Sequence, residues 1–114
     1  MSPRTALLLA CCAPLFAHAQ APAPKPFAKT LEPGKVHEEC TRLEKGQVRR
    51  YEWKSSGKVD FNIHYHEGNE VFYPARRDDV SKGRGRFKAK IAQEYCWMWT
   101  ARDATAKIEG TIGK

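Results

Sequence analysis

The sequence predicts an all-β domain, an antiparallel sandwich of about seven short strands, and three observations carry that expectation. Apolar and polar residues alternate with period two in several segments, as in strands with one buried and one wet face. Glycine-containing turn signals fall between most of those segments. No stretch of the chain shows a convincing helical period. The chain has 114 residues and a formal charge of +7. That size fits one small domain and excludes a doubly wound enzyme or a full-size barrel.

In chain order, the first element is an export segment. Met1 to Ala19 carries Arg4, an apolar run from Ala6 to Phe16, and the small-x-small pattern Ala17-His18-Ala19. This is the build of a cleaved signal peptide over residues 1–19, with a mature chain beginning at Gln20. The run is too short to span a bilayer, and no later segment is long enough to predict a transmembrane helix. A rival reading takes Leu8-Leu9-Ala10-Cys11 as a lipoprotein box with lipidated Cys11. Against it, fewer apolar residues precede Cys11 than an export signal normally supplies. Removing 19 of 114 residues leaves 95; one Arg and no acid is lost, so +7 becomes +6. Cys40 and Cys96 are then the two remaining cysteines. In an exported domain they predict one disulfide, which would stabilise the fold by roughly 4 kcal/mol in the chain-entropy model.

Residues 20–33, QAPAPKPFAKTLEP, alternate Pro and Ala and read as an extended linker. The domain is expected over residues 34–114. Its predicted strands are Val36–Leu43, Val48–Lys54, Val59–His66, Glu70–Tyr73, Arg86–Ile91, Tyr95–Ala101 and Thr105–Ile112. Glu44-Lys45-Gly46, Ser55-Ser56-Gly57, Glu67-Gly68-Asn69 and Lys82–Gly85 are the expected turns. Tyr51 and Trp53 share one strand face, as do Val59, Phe61, Ile63 and Tyr65. Tyr95-Cys96-Trp97-Met98-Trp99 is apolar on both faces and reads as a central strand. With Tyr95, Trp97 and Trp99 turned to the core, Cys96 and its disulfide with Cys40 lie on the outer side.

The order of these segments resembles the GOLD-type β-sandwich, the lumenal domain of p24 cargo-transport proteins, over roughly Val36 to Ile112. Tyr51-Glu52-Trp53, Phe61-Asn62-Ile63 and the Trp strand carry the resemblance. Thr100-Ala101-Arg102 stand where that family usually has Asn. The resemblance implies protein- or lipid-binding roles and no catalytic centre.

The sharpest chemical pattern is His64-Tyr65-His66-Glu67. Residues two apart on a strand share a face, so His64 and His66 could meet one ion, with Glu67 or Glu70 adding oxygen and His37 joining from the first strand. Imidazole with carboxylate suits zinc or copper(II). Cys96 and Met98 form a soft pair suited to copper(I), in competition with the disulfide. The alternative for both histidines is a solvated strand end. The stretch from Arg76 to Arg86 holds five basic residues in eleven. It reads as an exposed loop in which Arg76, Arg77, Arg84 and Arg86, with Arg49, Arg50 and Lys88, present a cationic surface. An acidic envelope protein, anionic lipid or lipopolysaccharide fits an exported chain better than nucleic acid does. With no G-x-S-x-G, Walker loop or dinucleotide fingerprint, the pattern points to a periplasmic or secreted, non-catalytic binding or accessory module of the bacterial envelope, with periplasmic copper or zinc binding through His64 and His66 as the first alternative and an envelope enzyme as the second.

Overall fold

The computed structural model describes residues 10–14 and 24–113. Most of the export segment and the first residues of the expected linker lie outside the described residues. Among the described residues no helix is long and apolar enough to cross a membrane. The fold is all-β, with six antiparallel strands: β1 (Lys25–Leu31), β2 (Val36–Leu43), β3 (Val48–Glu67), β4 (Glu70–Lys88), β5 (Gln93–Ala101) and β6 (Ala106–Gly113).

One long strand organises the sheet. Along one edge β3 pairs with β4 from Val48↔Lys88 to Glu67↔Glu70. Its other edge is shared: Arg50–Ser55 pair with β6 and Val59–His64 pair with β5. β1 extends the sheet beyond β6, and β2 beyond β5. The sheet curls so that its two halves face one another. Trp53 of β3 and Phe27 of β1 in the first half meet Trp99 of β5 in the second, at ring distances of 6.1 and 4.7 Å. Phe87 of β4 likewise meets Tyr95 and Trp97.

Period-two alternation sets this core. On β3 the odd residues Trp53, Val59, Phe61 and Ile63 are buried, and on β5 so are Tyr95, Trp97 and Trp99. The predicted faces of both strands hold, and Trp97 and Trp99 are core residues with no exposed surface. Complete burial of rings this large is the main apolar contribution in a small domain. Cys40 and Cys96 are direct cross-strand partners on β2 and β5 and form a disulfide on the outer side of the sheet.

Three expectations change. The strand count is six in place of seven, because two pairs of expected strands merge, into β3 and β4, and β1 is added; first, Ser55-Ser56-Gly57 is no turn, and β3 runs through it as one 20-residue strand. Here β3 passes from β6 to β5, close to the turn before β6. A Cβ on Gly57 would stand 3.0 Å from the Thr105 carbonyl oxygen, so glycine permits the approach. Second, the Arg76–Arg86 loop is strand β4. In its Gly83-Arg84-Gly85-Arg86 run the glycines face inward and the arginines outward. A Cβ on Gly83 would stand 2.6 Å from Trp53 Nε1, and one on Gly85 2.6 Å from the Tyr51 hydroxyl. The glycines make room for two rings of the neighbouring strand, as edge glycines do beneath aromatic partners. Third, residues 25–31 of the expected linker form β1, an edge strand whose Phe27 and Leu31 join the core. Pro26 sits there without breaking the sheet because an edge strand needs only half of its backbone donors.

Candidate functional site

The second half of the sheet carries its chemistry on its outer face, in register across three strands. Cys40 of β2, Cys96 of β5 and His64 of β3 form one cross-strand row. Glu38, Met98 and Asn62 form the next row, and Val36, Thr100 and Asp60 the one after. Side chains in such rows stand side by side, which is why residues far apart in sequence meet here.

His64 is the centre of the site. Its side chain is only 4% exposed, and its Nδ1 lies 2.8 Å from Asn62 Oδ1. A carbonyl oxygen only accepts, so Nδ1 carries the hydrogen and donates it, leaving Nε2 as a lone pair. Nε2 faces Glu38 Oε1 at 3.5 Å. Burial holds the His64 pKa below its ordinary value; the Glu38 carboxylate pulls it up and His66 pushes it down. The His66 ring stands edge-on to His64 at 5.1 Å, and the exposed Tyr73 lies 5.9 Å away on β4. The Arg76 guanidinium lies over the Tyr73 ring.

The predicted metal set changes accordingly. Among the described residues, the groups of three whose ligand atoms lie within 4.8 Å of one another are Glu38–His64–Cys96 and Cys40–Glu94–Cys96. His66 and Glu67 belong to neither, although the His66 ring stands beside that of His64. His37 is on the inner face of β2, stacked on Trp99 and bonded to Glu39 at 3.0 Å, so it cannot join His64. Glu38 is the partner that sequence reasoning missed. The signal was present in parity: Glu38 lies two residues before Cys40, on the face where the disulfide was already expected.

The farther end of the same face is pinned by charge. Asp60 Oδ1 accepts from Arg102 and, at 2.9 Å, from the backbone N–H of Asp79. Asp79 has a φ of 57°, at an irregularity where β4 inserts one extra residue against β3. Burial raises the Asp60 pKa, but the bonds from Arg102 and Asp79 and the charges of Arg102 and Arg76 outweigh it, and the net shift is downward.

The four arginines expected to act together are separated. Arg84 and Arg86 stand on the outer face of the first half of the sheet. Arg76 stands on the outer face of the second half, beside Asp78 and Tyr73. Arg77 pairs with Phe61 at the inner edge, where its charge reaches the Tyr51 phenol. In place of one basic loop, β4 and β3 build a basic row from Lys82, Arg84, Arg86 and Lys88 with Arg50 and Lys54 alongside, all exposed. Glu52 and Glu109 are the acids on that face, Glu109 bonded to Lys54 at 3.0 Å.

No family model matches the chain, and no curated protein matches it. Among solved structures it is similar to a de novo designed double-stranded β-helix solved by NMR, at 16% identity, covering 77% of this chain and 97% of that one, with a TM-score of 0.45. It is also similar to a periplasmic inhibitor of g-type lysozyme from Aeromonas hydrophila, at 10% identity, covering 78% of this chain and 85% of that one, with a TM-score of 0.47.

Proposed function

We propose that this chain is an exported, non-catalytic binding module of the bacterial envelope that docks an anionic partner surface through the outer face of β4 and β3. The observation that carries the reading is the exposed row Lys82, Arg84, Arg86 and Lys88, joined by Arg50 and Lys54 on the neighbouring strand. Like charges packed at strand spacing repel one another, and an anionic partner relieves that repulsion. Export is supported by the amino-terminal sequence pattern and by a disulfide, which persists in oxidising compartments. A binding role is in keeping with the GOLD-type resemblance and with a buried imidazole engaged by Asn62 beside an oxidised cysteine pair.

The test is association with vesicles containing phosphatidylglycerol, against phosphatidylcholine vesicles and a polyglutamate chain. Binding to phosphatidylglycerol that weakens as salt rises supports a lipid partner, and binding to polyglutamate alone supports an acidic protein partner. No association with either at low salt rejects the proposal.

A further inference from the structure

We propose that the outer face of β5 is a thiol-gated zinc site: once the Cys40–Cys96 disulfide is reduced, the two sulfurs, His64 Nε2 and the Glu38 carboxylate hold one Zn2+ between β2, β5 and β3. This goes beyond the docking role and uses the outer face of the other half of the sheet.

Three of the four ligands are already grouped, and the fourth, Cys40, is joined to one of them. Ligand atoms of Glu38, His64 and Cys96 lie within 4.8 Å of one another, and Cys40 is bonded to Cys96. Tetrahedral ligands about 2.0–2.3 Å from zinc stand roughly 3.3–3.8 Å apart. His64 Nε2 and Glu38 Oε1 are 3.5 Å apart now. Asn62 fixes the tautomer that leaves Nε2 free, the arrangement by which outer partners orient a metal-binding histidine. Two thiolates with imidazole and carboxylate form a donor set suited to zinc. In the disulfide the sulfurs carry no negative charge, and the set lacks its two strongest ligands.

The gate is thiol–disulfide exchange with a protein dithiol. A thiolate of the dithiol attacks the exposed Cys40 sulfur, and the Cys40–Cys96 bond breaks. The second thiol of the dithiol then displaces Cys40 and leaves the dithiol as its own disulfide. Two electrons pass to the chain, giving two thiols. Zinc binding then releases the two thiol protons to solvent.

The experiment uses the full chain carrying Cys11→Ala and Cys12→Ala, since both of those thiols are free and exposed. It is reduced with a phosphine, which does not compete for the metal, and titrated with Co2+. The expected result is one equivalent of cobalt with tetrahedral d–d bands and a thiolate-to-cobalt charge-transfer band, both removed by Zn2+. The disulfide form gives neither band. Glu38→Gln, at an exposed position, weakens cobalt binding about tenfold or more. His64→Gln, which keeps the buried volume, weakens it as strongly. Absence of the charge-transfer band in the reduced chain overturns the proposal. So do bands that survive unchanged in both variants, and so does loss of near-ultraviolet aromatic dichroism on reduction that zinc fails to restore.

Discussion

At the scale of single residues, two positions show how chemistry and packing divide the two faces of a strand. Gly85 lies under the Tyr51 ring, and a Cβ there would stand 2.6 Å from the hydroxyl and 2.8 Å from the ring carbon that bears it. Gly85→Val therefore displaces Tyr51, with a loss of about 1–3 kcal/mol expected in urea denaturation. An unchanged midpoint would show that the ring moves freely. His64 sets a pH dependence. Its folded pKa is held below the unfolded value of about 6.5, so between the two the unfolded chain binds more protons. Stability is then highest above the ordinary histidine range and falls as pH drops through it. His64→Gln should flatten this part of the stability-versus-pH curve, measured by denaturant titration at several pH values.

At the scale of elements, the long β3–β4 hairpin depends on how its irregular segment is held. Asp60 on β3 ties the left-handed Asp79 of β4 to Arg102, just past the end of β5. Its lowered pKa means that its contribution is present above the unfolded carboxyl range and is lost as pH falls through the folded value. Asp60→Asn should reduce stability at neutral pH and shrink the further loss on acidification. Amide hydrogen exchange at Asp79 should quicken in the same variant; unaltered exchange would mean that the β4 backbone holds this conformation by itself. Much of the element structure was legible beforehand. Tyr51 with Trp53, Phe61 with Ile63, and Tyr95 with Trp97 and Trp99 alternate as strands must when one face is buried. Glycine is ambiguous at Ser55–Gly57 and Lys82–Gly85. A glycine that ends a strand and one that makes room for a neighbouring ring look the same in one dimension. At Glu67-Gly68-Asn69 the turn is where the sequence implies, and there Gly68 adopts the positive φ that a turn requires.

At the scale of the molecule, the curled sheet buries its aromatic residues between two halves and leaves two outer faces with different chemistry. One is a basic row centred on Arg84 and Arg86; the other places His64, Glu38 and the disulfide side by side. The composition of the candidate sites was visible in the sequence, but their grouping was not. Arg76, Arg77, Arg84 and Arg86 are close in the chain, yet strand parity and the irregularity at Asp79 send them to different surfaces. His64 and His66 are two apart, yet His64 pairs with Asn62 and Glu38 while His66 remains toward the open hairpin end. Only the register between β2, β5 and β3 brings Glu38 and Cys40 to the imidazole, and register depends on the whole fold. The most direct test of the docking role compares two charge reversals in one assay, the binding of phosphatidylglycerol vesicles and of polyglutamate across a salt series. Arg84→Glu with Arg86→Glu should abolish most of the association and flatten its salt dependence, while Arg76→Glu should leave both near the parent chain. Equal losses from the two, or no loss from the first, would contradict a docking face on the outer row of β4.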